Sequence, residues 1–380
     1  MKIAYIYTGL LTIGGADRVL TDKANYFADK MNFDVFIITD SQGKNPPIFP
    51  LSPKVQLIDL DINFDEEYHY KLVGRALCYI RLMKKYKKRL SKALNEIKPD
   101  IVLSLCGREM DFLTDIKDGS IKIGESHIAR NFCRNFHIME NKGFPYRLIA
   151  KIWRYKQEKS IKKLDGFVVL TQHDADSWSK VRNATVIPNP CQLQPNKLSD
   201  CTSNKIISVG RLNEQKGFER LIEAWADIAQ KHSDWEINIY GYGEEKLKLE
   251  SLINEMNVKD SFHIYPPTMN IVDKYCESSI YVMSSRYEGF GMVLVEAMDC
   301  GLPCISFDCP YGPSDIIQEG ENGFLVKNGD INTLSESIEH LIINSELRIK
   351  MGKNAKISVM KFNPENIMTL WVNLFKSLKP

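Results

Sequence analysis

Residues 284–303 read SSRYEGFGMVLVEAMDCGLP and carry two glutamates eight positions apart. The run SSIYVMS that leads into them has the length and composition of a short buried strand. Residues 287–291 form a tight, glycine-flanked loop, and residues 292–300 continue as a helix. Strand, loop and helix in that order form the repeating unit of a parallel sheet wrapped by helices. Glu288 falls in the loop and Glu296 a little over two turns further on, so at 1.5 Å per residue they lie at most about 12 Å apart. Paired carboxylates of glycosidases converge across about 5 to 9.5 Å on a single bond. These two are better spaced to hold two ends of one long ligand, the bland alternative being a helix cap and an ordinary ion pair.

The same alternation runs along the whole chain. MKIAYIY, FDVFIIT, PDIVLSL, IKIGES and DGFVVLT read as strands separated by helical stretches, the first helix covering residues 17–30. The pattern stops at ATVIPNPCQLQPNKLSD, where prolines and polar residues place a linker near 188–203. It restarts with KIISVG, EINIYG, SFHIY, SSIYVMS and LPCISF. The expected organisation is an α/β fold with domains at 1–187 and 188–362, the cleft between two such nucleotide-sized units being the natural ligand site. A final helix at 363–380 has Ile367, Leu370, Trp371, Leu374, Phe375 and Leu378 on one face, which needs a surface to cover.

Composition narrows the function classes. With 380 residues, 44% hydrophobic and 26% charged, the chain reads as an ordinary globular protein with room for two cores. Nine scattered cysteines form no CxxC pair, which suits a reducing cytoplasm and argues against zinc or redox chemistry. The N-terminus turns polar too early for a signal peptide, and no run of 18 apolar residues is present. The net charge of +2 conceals an imbalance, because residues 1–195 hold 31 Lys and Arg against 22 Asp and Glu, the remainder 19 against 26. The excess sits in segments 71–98 (ten basic, one acidic) and 142–163 (eight basic, one acidic), each interleaved with apolar residues at helical spacing. In the first these are Leu72, Ala76, Tyr79, Ile80, Met83, Leu90 and Leu94; in the second Leu148, Ile149, Ile152, Trp153 and Tyr155. Two readings stand, an anionic lipid surface as partner or a solvated face backed by core. Nucleic acid is disfavoured, since the chain as a whole is not basic and shows no aromatic-basic recognition motif.

A ligand containing a diphosphate needs cations and bare backbone amides. In ISVGRLNEQKGFERLIEAW (207–225), Arg211 and Lys216 flank a loop at a strand's carboxyl end, and Gly217 opens the following helix. In TGLLTIGGADRVL, Gly14 and Gly15 open a helix after the first strand, although the stretch is neither GxGxxG nor a Walker A loop. Asp59-Leu60-Asp61 is a DxD tripeptide, read as chance in a charged chain rather than as a metal site.

In their order and spacing, GGADRVL, VGRLNEQKG, SSRYEGFGMVLVEAMDCGLP and CPYGPSDIIQEGENGFLV resemble glycosyltransferase family 4 over nearly the whole chain. The resemblance implies the GT-B fold, two facing Rossmann-like domains with the last helix crossing back to the first. It also implies a retaining transfer from a nucleotide sugar that needs neither metal nor cofactor. By it, Arg211 and Lys216 bind the donor diphosphate, Glu288 faces the donor sugar and Glu296 grips the ribose. The backbone of Gly289, Phe290, Gly291 and Met292 lies against phosphate and sugar, and Gly14 and Gly15 match the N-terminal glycine loop. Asp17 stands where the family has Glu and receives no role. A Glu-His dipeptide often ends a strand of the first domain in relatives; here Ser126 intervenes between Glu125 and His127, and His127 is taken as the match. The expected donor carries UDP, or else GDP. The expected acceptor is a glycan, on a lipid, in bacterial surface polysaccharide synthesis at the cytoplasmic face of the plasma membrane. A sugar-nucleotide epimerase or phosphorylase of the same fold, or a noncatalytic donor-binding scaffold, are the rivals.

Overall fold

The computed structural model describes residues 1–133, 139–140, 143–181, 184–191 and 193–379. Lys142, in the second basic segment, and Gln192, in the expected linker, lie outside them. The chain divides into two compact units, Met1–Pro190 with Met368–Pro380, and Cys191–Ile367.

In the first unit, strands β1 (Lys2–Tyr7), β2 (Asp34–Thr39), β3 (Val55–Asp59), β4 (Ile101–Ser104), β5 (Ile121–Ser126), β6 (Gly166–Val169) and β7 (Ala184–Val186) form one sheet in the order 3-2-1-4-5-6-7. In the second, β8 (Lys205–Val209), β9 (Glu236–Tyr240), β10 (Phe262–Tyr265), β11 (Ile280–Met283), β12 (Cys304–Asp308) and β13 (Gly323–Lys327) are ordered 10-9-8-11-12-13. Every pairing is parallel. A parallel sheet is covered on both faces, so its strands are apolar throughout: every residue of IVLS in β4 and IYVM in β11 is buried. These are two Rossmann-like units, each with a switch point where strand order reverses, between β1 and β4 and between β8 and β11. β7 and β13 were not assigned from sequence; β7, the three residues ATV, lies in the stretch where the alternation fades.

The two basic segments behave differently. The Leu72–Ile97 helix packs Cys78, Leu82, Tyr86, Leu90, Leu94 and Ile97 into the core, while Val73, Leu77 and Ile80 are exposed on its first turns. Of the apolar residues expected on one face of this helix, Ala76 and Ile80 are exposed, Tyr79 and Met83 are half-buried against the core, and Leu90 and Leu94 are buried. Among its described side chains, the Phe144–Ile161 helix buries Ala150, Gln157 and Ile161, and leaves Phe144, Tyr146, Leu148, Ile149, Ile152 and Tyr155 exposed. Most of its apolar residues are therefore surface, not core. Among the described residues, no helix is long and apolar enough to cross a membrane.

The Pro364–Leu378 helix buries Ile367, Met368, Trp371 and Phe375, whereas Leu370, expected on that face, is exposed. Its Trp371 ring lies under a buried cation, the Lys23 ammonium, 4.0 Å from the ring centroid. Lys23, on the Gly15–Asp29 helix, also donates to both carboxylate oxygens of Glu125 at 2.6 Å. Burial lowers the Lys23 pKa against the opposing pull of Glu125. For Glu125 burial works towards the neutral form, but Lys23, then His127, outweigh it and hold the carboxyl down at about 2. A charge pair in this setting is costly to break, because the surviving partner is left uncompensated.

Asp40, at the carboxyl end of β2, is buried with Ser41 Oγ donating to it at 2.6 Å. Burial lifts its pKa to about 6, Ser41 and Arg108 opposing the rise and Glu109 and Asp59 adding to it. The folded chain thus holds a proton that the unfolded chain releases near pH 4, so stability falls as pH climbs from about 4 to 6 and stays lower above.

Two outcomes follow for unfolding experiments. Asp40→Asn should be more stable than the parent at pH 8, by up to roughly 3 kcal/mol, with the difference gone below about pH 4; urea midpoints at the two pH values measure it. Lys23→Met should lose about 3 to 5 kcal/mol, and Lys23→Met with Glu125→Gln should recover a large part of that in the same assay.

Candidate functional site

In the second unit, the chemistry gathers where strand order reverses, at the carboxyl ends of β8 and β11. After β8, Gly210 and Arg211 lead into a short turn, Glu214–Lys216, capped by the Asn213 side chain accepting from the Lys216 amide. Gly217 follows with φ +59°, the left-handed region, and begins the Phe218–Ala226 helix. A Cβ there would stand 2.4 Å from the Ser284 carbonyl oxygen, so the two loops approach as closely as a bare glycine allows.

That approach brings Lys216 to Glu288. Lys216 Nζ lies 2.6 Å from Glu288 Oε1, and Ser285 Oγ donates to the same oxygen at 2.6 Å. The Glu288 amide donates to the Pro310 carbonyl at 3.1 Å, which fixes the loop. Glu288 is only 7% exposed, so its charge is balanced by a specific cation and hydroxyl rather than by bulk water. Arg211 is exposed, and its guanidinium makes no ion pair or hydrogen bond with a described residue. Of the expected basic pair, one member is thus committed to the carboxylate and the other is available.

Glu296 lies in the Met292–Asp299 helix and is 9% exposed. Tyr275, from the Ile271–Cys276 helix, donates its hydroxyl to Glu296 Oε2 at 3.2 Å. Burial, then the Glu296 charge, pushes the Tyr275 pKa well up, so the phenol keeps its proton and serves as donor. Gly291 opens the Met292–Asp299 helix at φ +92°. Gly289, Phe290, Gly291 and Met292 therefore form the turn between the two acids. The turn is closed over by Gly312, where a Cβ would meet the Phe290 carbonyl oxygen at 2.1 Å.

The remaining expected residues form a second constellation, in the first unit, at the carboxyl ends of β1, β4 and β5. Gly14 caps the Gly15–Asp29 helix in extended conformation, and Gly15 is its first residue. Asp17, given no role from sequence, anchors this turn by accepting from Tyr7 Oη at 2.6 Å and from the Thr12 amide at 2.8 Å. His127 follows β5, with Nε2 3.0 Å from Glu125 Oε1. The intervening Ser126 explains the register, since side chains two apart on an extended chain share a face. His127 borders a cavity of about 170 Å³ that Tyr7, Leu105 and Ser126 also line.

Asp59 and Asp61 do not act as a pair. Asp59 accepts from Thr39 Oγ1 and the Gln42 and Gly43 amides, while Asp61, at φ +49°, meets Arg89 and Lys85. Among the described residues no group of three or more His, Cys, Asp or Glu is placed to hold a metal ion.

Ser285 and Tyr275, which bond the expected acids, and Lys23 and Asp17, which brace the loops beside the other expected residues, were missed. Lys23 alone left a signal, a lysine on the stripe that Val19, Leu20, Ala24 and Phe27 bury. Tyr275 reaches Glu296 from a helix 21 positions away, and nothing local announces it.

The family described as glycosyl transferases group 1 matches residues 192–358. A Haemophilus influenzae protein named as an uncharacterized glycosyltransferase is 30% identical, over 97% of this chain and 98% of its own length. The amylovoran biosynthesis glycosyltransferase AmsD of Erwinia amylovora is 26% identical over 97% and 98%. Among solved structures, a variant of Staphylococcus aureus TarM holding fondaparinux, α-GlcNAc-glycerol and UDP superposes with a TM-score of 0.79 at 18% identity, covering 99% of this chain and all of the other. With relatedness at this level along almost the entire sequence, and the same architecture, the chain belongs to the group 1 glycosyl transferases and is a glycosyltransferase of the GT-B fold.

Proposed function

We propose that this enzyme is a retaining, metal-independent transferase. It moves a hexose or N-acetylhexosamine from a nucleotide sugar, UDP-linked before GDP-linked, to a lipid-linked glycan in bacterial surface polysaccharide synthesis. The observation that carries the reading is the Lys216–Glu288–Ser285 cluster at the second unit's switch point, beside an unpaired Arg211. In this assignment Arg211 and Lys216 take the donor diphosphate, Glu288 the donor sugar and Glu296 the ribose hydroxyls. The amides of residues 289–292 lie along phosphate and sugar. Gly14, Gly15 and His127 of the first unit serve the donor's phosphate and sugar end. The AmsD relative supports polysaccharide synthesis, and UDP in the TarM structure supports the nucleotide.

The reaction is a front-face substitution. The bond from the anomeric carbon to the leaving phosphate oxygen breaks, and the acceptor oxygen bonds to that carbon on the same face. The acceptor's proton passes to the departing diphosphate. Preorganised cations at that oxygen lower the barrier, and loss of one such group costs about 10² to 10³ in kcat.

The acceptor assignment draws on the Phe144–Ile161 helix, whose exposed Phe144, Leu148, Ile149 and Ile152 lie among Arg147, Lys151 and Lys156. Apolar side chains bury in the headgroup boundary while cations meet anionic lipid, a combination that suits an enzyme working at a membrane surface.

Incubation with a panel of UDP- and GDP-sugars should release nucleotide from one donor, unaffected by EDTA. Lys216→Ala and Glu288→Gln should each lower the rate by about 10² or more. Retention of the anomeric configuration in a product isolated with lipid extract as acceptor completes the test, and absence of any glycosylated product favours the epimerase or scaffold reading. The enzyme should also sediment with vesicles containing anionic phosphatidylglycerol and not with pure phosphatidylcholine, the binding weakening as salt is raised. Ile149→Glu with Ile152→Glu should abolish it.

A further inference from the structure

The cavity beside His127 is at the first unit's switch point, where α/β sheets bind ligands. At about 170 Å³ it is well below the roughly 300 to 1,000 Å³ of sites that enclose drug-sized ligands, and so has room for a sugar substituent rather than a whole nucleotide sugar. Its walls are largely apolar, built by Tyr7, Ala16, Leu105 and Ile128 together with the thiol-bearing side chains of Cys106 and Cys133. The polar atoms at its edge are mostly engaged. Tyr7 Oη donates to Asp17, Ser126 Oγ and Cys133 Sγ both donate to the Ile128 carbonyl, and His127 Nε2 meets Glu125.

Gln157 is the exception. It lines the cavity from the otherwise outward-facing Phe144–Ile161 helix, is 8% exposed, and its carboxamide makes no hydrogen bond with a described residue. Its polar atoms are not buried away from the cavity, so the carboxamide is free to hydrogen-bond a group that enters. The carboxamide offers two donors and one acceptor in a plane. The matching ligand group presents an N–H and a C=O to that plane and an apolar end to the remaining walls. A hexose edge bearing only hydroxyls would leave those hydroxyls against carbon.

We propose that this cavity is a subsite for the acetamido group of an N-acetylhexosamine in the glycan acceptor, with Gln157 pairing the amide and the apolar walls receiving the methyl. Gln157 is thus a specificity-determining residue for the acceptor. The inference rests on the proposed transfer to a glycan acceptor, and it names that acceptor's class.

The test reads sugar binding directly, with no nucleotide sugar present, so its result is independent of donor turnover. Saturation-transfer NMR compares the methyl glycosides of N-acetylglucosamine and N-acetylgalactosamine with those of glucose and galactose. An acetamido sugar should bind at least tenfold more tightly than its plain counterpart, with the acetyl methyl the most strongly saturated proton. Gln157→Leu should remove that preference, and Ala16→Leu, which adds bulk to another lining residue and keeps the carboxamide, should do the same. Melting temperature and near-ultraviolet circular dichroism confirm that each variant is folded, and at least one folded variant is needed. Equal binding of both sugar classes, no binding of either, saturation centred away from the methyl, or an unchanged preference in a folded variant overturns the proposal. If donor hydrolysis fails while the acetyl preference holds, the assignment of the reaction falls and the subsite stands.

Discussion

Both sheets are wholly parallel, and that constraint orders everything else in the molecule. Parallel strands are connected by crossing helices, so both faces of each sheet are covered and the strand interiors have no place for unpaired charge. Polar chemistry is displaced to the loops at the strands' carboxyl ends, and strand-order reversal opens a crevice at one such place per unit. Lys216 and Glu288 meet because they follow β8 and β11, the pair that flanks the reversal. His127 and the Gly14 turn are placed by the same rule around β1, β4 and β5.

Much of this was legible in the sequence, because strand–loop–helix alternation is a local signal. The SSIYVMS strand, the 287–291 loop and the helix after it were placed within a residue or two, and the two acids fall in the expected elements. What could not be read is which cation answers which carboxylate, since that depends on loops that approach only after the sheet forms. Ser284 and Gly217 are 67 positions apart, and their contact decides the Lys216–Glu288 pair. Amphipathic spacing was a weaker guide. It put Leu370 on a face that needs covering and Ile80 on the apolar side of an amphipathic helix, yet both are exposed, because spacing identifies a stripe without saying whether another element lies against it. In the Phe144–Ile161 helix an apolar residue recurs on nearly every side, and only packing distinguishes the narrow buried line through Ala150, Gln157 and Ile161.

Buried charge is handled alike in the two units. Glu125 is answered by Lys23 and His127, and Glu288 by Lys216 and Ser285. In each case short contacts rather than water answer the buried carboxylate, which holds the neighbouring basic group in one orientation. The shared logic gives two fixed side chains, an imidazole and an ammonium, each beside the loops that the family resemblance associates with ligand.

Asp17 has a side chain one methylene shorter than the glutamate usual in the family, and it spans from the helix to Tyr7 Oη and the Thr12 amide. The glycine-led turn is thereby cross-braced before anything docks on it. Glycines confer mobility that any association must remove, and a brace installed at folding removes part of it beforehand. Under the proposed assignment, a ligand at this turn meets backbone that is already ordered.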